Sequence, residues 1–335
     1  MSDRPLPASE LRDLALRVLV AAGATEANAA PTAEALIAAE LDGIASHGLS
    51  RLPFYADQIR SGKVDGKAVP TVSRRGAALI HVDARCGLAF PAIELGFAQI
   101  SGIARESGLV AIAIANSHHA GVIGHPFERL AIQGLVGIAF ANTPAAIAPW
   151  GGTRGVFGTN PIAFACPRRA APPLVIDLSL SIVARGKLLV AAAKGEAIPA
   201  GWALDKEGNP TTDAAAALAG TIEPIGGAKG AALALMVEIL AAGLTGSQFG
   251  FEASSFFDAE GPPPRTGQLF LALDPIALAG PSFGDRIDSL CAAILEEPAI
   301  RLPGERRQKM RVRHAREGIA VPAKLLAELR QRAAG

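Results

Sequence analysis

Leu109–His125 reads LVAIAIANSHHAGVIGH. Seven apolar residues run without interruption to Ala115. Donors and acceptors then crowd Asn116–His119, and Gly121 and Gly124 follow. A short apolar run bounded by turn residues is expected of a strand covered on both faces. Five more runs have this character: ALIHVDA from Ala78, LVGIAFAN from Leu135, PIAFACP from Pro161, PLVIDLSL from Pro173 and GQLFLALDP from Gly267. Helical patterns lie between several of them, at Leu88–Glu106 and Lys229–Leu244. The alternation predicts an α/β domain over residues 76–284.

The flanks differ. Residues 8–23 read as an amphipathic helix closed by Gly23, and a second helix is expected from Pro31 to Ile44, with Pro31 in its first turn. In LSRLPFYADQIRSG, Leu49, Leu52, Ala56 and Ile59 recur at helical spacing up to Gly62. From about Asp285 the chain is helical again, interrupted at LPGERR and ending in Pro322–Arg332. Residues 1–75 and 285–335 are therefore expected to form one helical subdomain.

Composition narrows the function. The 335 residues carry a formal charge of +1, which gives no general attraction to nucleic acid or to anionic membrane. The three cysteines are scattered, as in a reduced, cytoplasmic protein without a disulfide framework or zinc cluster. MSDRPLPASE lacks the apolar core of a signal peptide. The longest apolar run, AALALMVEILAAGL, contains Glu238 and is short of a bilayer span.

Six stretches offer chemistry. In DGIASHGLSR, Asp42–Arg51, a histidine can move a proton near neutral pH and an arginine can hold a carboxylate. If residues 47–51 are helical, His47 and Arg51 share a face, with Ser46 beside the ring; a capping serine and a surface histidine are the plain alternative. ANSHHAGVIGH sits at a strand end, where α/β proteins bind ligands. His118, His119 and His125 are close in sequence, but adjacent histidines rarely ligate one ion and no cysteine or acid has ligand spacing, so no metal is expected. In the Gly-, Pro- and Thr-rich run from Phe140 to Phe164, Thr143, Thr159 and Asn160 are candidate pocket contacts or ordinary turn residues. Asp177-Leu178-Ser179 closes a strand, where an acid can accept from ribose hydroxyls. PIGGAKG leads into a helix at Lys229-Gly230, a candidate anion site rather than a Walker loop. PGERR contributes Gly304, Glu305, Arg306 and Arg307, of which solvated charge is the plain reading. No strand is followed by G-x-G-x-x-G, so a nicotinamide cofactor would need another backbone arrangement.

Together, SHGLSRLPFYADQIRSG, ANSHHAG, GTNPIAFACP, VIDLSLS, IPAGWALDKEGNPTTD, GGAKG and PGERR resemble, in order over residues 40–310, the non-Rossmann malate/L-lactate/L-sulfolactate dehydrogenase family. The resemblance implies a central sheet domain, a helical subdomain made by both termini, a homodimer, and NADPH or NADH as cofactor. It implies a small carboxylate as substrate, and no nucleic-acid or membrane partner. It assigns His47 as proton donor and acceptor with Ser46 in support, and Arg51 to the substrate carboxylate. His119 falls beside cofactor and substrate, with Thr143 and Thr159 in pocket loops. Asp177, Leu178, Ser179, Lys229, Gly230, Gly304, Glu305 and Arg306 fall in cofactor-contacting segments. SHHAG, GPPPRTGQLF and PGERR look closest to the reductases of Δ1-piperideine-2-carboxylate and Δ1-pyrroline-2-carboxylate, so cyclic-imine reduction is the first expectation and L-2-hydroxy acid oxidation the alternative. One feature departs: Lys187 stands where those reductases carry a carboxylate, in an ARGK form more usual of hydroxy-acid dehydrogenases.

Overall fold

A computed structural model describes residues 5–335; Met1–Arg4, the start of the segment read above as lacking a signal peptide, lie outside the described residues. Seven strands form the central sheet: β1 (Thr71–Gly76), β2 (Leu79–Asp83), β3 (Leu109–Ser117), β4 (Val136–Ala141), β5 (Ile162–Cys166), β6 (Leu174–Leu178) and β10 (Thr266–Leu273). Three two-residue strands, β7 (Ala203–Leu204), β8 (Pro210–Thr211) and β9 (Thr221–Ile222), make a separate small sheet. The main order is β1-β2-β3-β10-β4-β5-β6. Only β2 and β3 pair in parallel; every other neighbouring pair is antiparallel. This mixed sheet departs from the parallel arrangement of a Rossmann domain, in keeping with the absent glycine fingerprint.

All six apolar runs become strands. Their covering comes from both sides. On one face lie α4 (Ala89–Phe97), α5 (Ile100–Ser107) and α6 (Gly124–Ile132). On the other lies α9 (Ala228–Glu238), which continues as a π-helical turn over Ile239–Gly243. Strand β4 shows the two-sided burial: Ala139 and Ala141 join the main core, while Phe140 packs with Val237 and Ala241 under α9. Phe127, Phe97 and Phe270 meet edge-on between α6, α4 and β10, at centroid separations of 5.1–5.6 Å.

The terminal helices form a layer against this sheet. Helix α1 (Ala8–Ala21) packs on α2 (Glu26–Leu41) and α13 (Ala323–Arg332), and α12 (Glu305–Glu317) packs on α2. The apolar core runs unbroken from Leu11, Leu14 and Leu36 through Ile93 to Ile112 and Phe270, so the layers share one interior. Helix α11 (Phe283–Ile294) instead sits near the β5–β6 turn, where Asp288 accepts from Arg168 Nε at 2.9 Å.

Local boundaries differ from expectation for identifiable reasons. Helix α2 starts at Glu26 rather than Pro31, because Thr25 caps it: its Oγ1 accepts from Asn28 N at 3.3 Å. Pro31 is then an interior residue. The pattern over Leu88–Glu106 divides at Ala98-Gln99 into α4 and α5. Strand β1 fell in the segment read as helical, since TVSRRG is an exposed edge strand without an apolar face to recognise. Residues 45–51 are not one helix but two 3₁₀ turns, Ala45–His47 and Leu49–Arg51, before α3 (Leu52–Arg60). Gly48 separates them, because a Cβ there would clash with the Glu40 carboxylate, whose Oε1 accepts from Leu49 N at 2.7 Å.

Candidate active site

A cavity of about 490 Å³ opens where the 3₁₀ turns meet the ends of β3, β4 and β6. The turn residues Ser46, His47 and Arg51 form one wall, and His119 faces them from the end of β3. Thr143 and Thr159 lie on the loops after β4 and before β5. Asp177, Leu178 and Ser179 end β6. Nine of the fourteen predicted site residues therefore share one cavity, although their segments are far apart in the chain.

The broken turn brings His47 and Arg51 together as a regular helix was expected to. Ser46 Oγ lies 3.0 Å from His47 Nδ1, which leaves His47 Nε2 for a ligand. Arg51 Nε donates to Ser46 O at 2.7 Å, and its guanidinium carbon lies 4.5 Å from the centre of the Phe257 ring. Arg51 is buried and its Nη1 has no hydrogen-bond partner among the described residues. A buried guanidinium with an orphaned N–H is a strong donor site for a carboxylate. The His47 and His119 rings stack at 5.4 Å with 28° between planes.

Electrostatics keep the unliganded site's imidazoles neutral. Burial, followed by the charges of Arg51, Arg307 and His125, lowers the His47 pKa to about 3. Burial and the Arg51 charge hold His119 well below its ordinary value. Three guanidiniums, Arg51, Arg185 and Arg307, line the cavity against one carboxylate, Asp177. A cavity of that charge balance attracts anions.

Asp177 organises the far end. Its Oδ2 accepts from Gly124 N at 3.0 Å, and its carbonyl accepts from Arg307 Nη2 at 3.1 Å. Arg307 Nη1 lies 3.6 Å from Asp177 Oδ2 and is buried without a hydrogen bond of its own. The hydroxyl of Thr143 accepts from Thr159 N at 2.9 Å, which ties the two pocket loops together. Behind them, the buried Glu238 carboxylate accepts from Asn142 Nδ2, Asn160 Nδ2 and Gly250 N at 3.0, 2.7 and 2.7 Å. Carboxylate and guanidinium at a strand end, together with glycine backbone at Gly121, form a donor and acceptor set suited to the ribose and phosphates of a nicotinamide cofactor.

Five predicted residues do not line this cavity. Lys229 and Gly230 begin α9, and a Cβ at Gly230 would clash with the Ile225 carbonyl, so close packing explains that glycine. Gly304 caps α12 at φ 88° against Val175, while Glu305 faces a separate cavity of about 370 Å³ near Arg168 and Lys309. Arg306 is one residue out of phase: it is Arg307 that faces the main cavity. Arg185, Phe256 and Phe257 also line it and were not singled out. Lys187 is exposed, with Nζ 5.9 Å from the Trp202 ring centre, and no carboxylate contacts Ser46 or His47 among the described residues. Among the same residues there is no cluster of potential metal ligands and no helix long and apolar enough to cross a membrane.

The chain is similar to known proteins over nearly its whole length. A family model described as malate/L-lactate dehydrogenase matches residues 6–330. The (2R)-3-sulfolactate dehydrogenase (NADP(+)) of Chromohalobacter salexigens is 56% identical over 98% of this chain and 97% of its own. The Δ1-pyrroline-2-carboxylate reductase of Ancylobacter novellus is 39% identical over 97% of this chain and 96% of its own. The crystal structure of Δ1-piperideine-2-carboxylate reductase from Pseudomonas syringae superposes with a TM-score of 0.93 at 39% identity, covering 98% of this chain and 99% of that one.

The buried histidines make stability depend on pH. Burial, then the charges of Lys63 and Arg51, lowers the His118 pKa to about 3. The unfolded chain takes up a proton on this residue near pH 6.5 while the native chain does not, so its contribution to stability is lost as pH falls below 6.5. The stability advantage of the wild type over His118→Gln should shrink by about 1 kcal/mol between pH 7 and pH 5.5 in urea titrations. A constant difference would mean that His118 charges within the native fold.

Proposed function

Because the chain belongs to the malate/L-lactate dehydrogenase family, we propose that this NAD(P)-dependent oxidoreductase is a cytoplasmic, homodimeric, NADP-dependent 2-hydroxy acid dehydrogenase of the 3-sulfolactate type. The observation that carries the reading is the meeting of His47, Arg51 and His119 in one cationic cavity. Arg51 holds the carboxylate of the substrate. His47 takes the C2 hydroxyl proton as the C2–H bond breaks and the carbonyl forms, and returns it in the reverse direction. A nicotinamide held in this cavity would supply the hydride acceptor for oxidation and the hydride donor for reduction. Asp177, Leu178, Ser179, Thr143 and Arg307 hold the cofactor, and Thr159 and His119 contact the substrate.

Two observations favour a hydroxy acid over the cyclic imine suggested by SHHAG, GPPPRTGQLF and PGERR. Identity is 56% to the sulfolactate enzyme against 39% to the pyrroline-carboxylate reductase. The carboxylate expected near Ser46 in an imine reductase is replaced by the exposed Lys187. Arg185 adds a reason for a doubly acidic substrate. It faces the cavity, donates only to the Leu218 carbonyl at 3.2 Å, and has no carboxylate partner among the described residues. A sulfonate or second carboxylate would supply one.

The dimer rests on the apolar side chains that α9, its π turn and the residue after it leave at the surface, including Leu235, Met236, Ile239 and Leu244. Sedimentation at micromolar concentration should give a species near twice the chain mass of 34.3 kDa; a single-chain species would refute the dimer.

Rates with both cofactors should rank 3-sulfolactate above malate and lactate, and 3-sulfopyruvate above Δ1-piperideine-2-carboxylate and Δ1-pyrroline-2-carboxylate. An imine preferred by a large factor rejects the reading. In the same panel Arg51→Met should raise KM by about 10- to 100-fold, as expected for loss of one charge-assisted pair worth roughly 1.5–3 kcal/mol.

The low pKa of His47 makes a further demand. A base that is neutral down to about pH 3 is available throughout the neutral range. At saturating NADP+, kcat/KM for hydroxy-acid oxidation should show no acid limb near pH 6.5. A limb at that pH would mean that His47 is not the base or is not desolvated.

A further inference from the structure

Tyr55 is buried in the second turn of α3, behind the cavity wall. Its hydroxyl lies 2.6 Å from His119 Nδ1, its sole hydrogen-bond partner among the described residues. Two proton arrangements satisfy that distance. If His119 Nδ1–H donated, the hydroxyl proton of Tyr55 would be left in a dry interior with no acceptor, at a cost of about 1–3 kcal/mol. If the hydroxyl donates, both atoms are satisfied and the His119 proton resides on Nε2. His119 Nε2 has no partner among the described residues, and the residue lines the cavity.

The neighbouring histidine is fixed by the same helix. Gln58 Nε2 donates to the Asp258 carbonyl at 2.9 Å, which turns Gln58 Oε1 toward His118 Nε2, 2.7 Å away. His118 Nε2 therefore carries a proton too, spent inside the protein. Tyr55 and Gln58 are three residues apart, on one face of α3. They set the protons of two adjacent histidines differently: one is closed off, the other is aimed at the ligand.

We propose that Tyr55 is a positioning residue that locks His119 as its Nε2–H tautomer, making His119 a fixed hydrogen-bond donor to a substrate oxygen beside His47. The two stacked imidazoles then divide the work. His47 meets only a serine hydroxyl, which can donate or accept, so it is free to gain and lose a proton. His119 faces a phenol whose pKa burial raises, so it meets a donor at every working pH. The tautomer rests on geometry alone; its effect on turnover rests on the dehydrogenase reading above.

The test uses the full-length enzyme with ¹⁵N-labelled histidine. Long-range ¹H–¹⁵N correlation, with the His119 signals identified from their loss in His119→Gln, should show an unprotonated Nδ1 and a protonated Nε2 at pH 7. In Tyr55→Phe, which keeps the aromatic packing, that pattern should shift toward the other tautomer. Its kcat/KM should fall roughly tenfold or more, as for loss of one hydrogen bond, while NADPH affinity by fluorescence stays within about twofold of wild type. The double variant Tyr55→Phe/His119→Gln should be no slower than His119→Gln alone, since the hydroxyl acts only through the ring. A protonated Nδ1 in the wild type overturns the proposal, as does an unchanged tautomer in Tyr55→Phe or multiplying losses in the double variant. The wild-type spectrum decides the tautomer even if Tyr55→Phe does not fold, and even if none of the substrates above is turned over.

Discussion

The buried guanidinium of Arg51 is the constraint around which the site is organised. Removing a permanent cation from water is unfavourable unless a counter-charge and hydrogen bonds replace the solvent. Here the described residues supply a carbonyl from Ser46 and the face of Phe257, but no carboxylate, and leave Nη1 unpaired. The missing counter-charge is what a carboxylate ligand brings. On the proposed reading, the same desolvation that makes Arg51 a demanding residue for the fold would make it selective for a carboxylate substrate.

Holding such a group requires rigid walls, and the walls are pinned by other buried charges. Glu238 gathers the loops after β4, before β5 and around Gly250, so one carboxylate fixes three sides of the cavity. Lys63 Nζ, itself buried, holds the Phe256–Phe257 loop through the Ser255 carbonyl at 2.8 Å and the Asp258 carboxylate at 2.9 Å. Asp42 joins His125 and Arg311, which ties the end of α2 to the start of α6 and to α12. Burial alone works to raise the Asp42 pKa, but the hydrogen bonds from His125 and Arg311 outweigh it and lower the pKa to about 2. The histidine turn, the Asp177 region and the helix that carries Arg307 are thereby held in register.

The sheet was legible because two-sided burial writes itself as continuous apolar runs, and six of the seven long strands show them. Strand β1 was not, because an exposed edge strand needs no apolar face. The site was legible at positions where chemistry and chain geometry coincide: His47 and Arg51 lie on a turn, His119 and Asp177 at strand ends. It was illegible where helix phase decides. Gly304 caps α12, and the residues after it rotate by about 100° each, so sequence alone could not tell that Arg307 rather than Arg306 would face the cavity. Tyr55 carried a usable signal, as an aromatic hydroxyl on the apolar face of a predicted helix, but its partner lies 64 residues away.

The charge balance of the cavity also joins binding to proton transfer. In the free site Arg51 and Arg307 both act against a proton on His47, after burial itself. On the proposed reading, a substrate carboxylate on Arg51 and a cofactor phosphate near Arg307 would offset those two charges and so favour the imidazolium relative to the empty site, while burial continues to oppose it. In the oxidative direction the neutral imidazole is already present. The arginines that would receive the two anionic ligands are thus the same ones whose charge, after burial, holds His47 neutral in the free site.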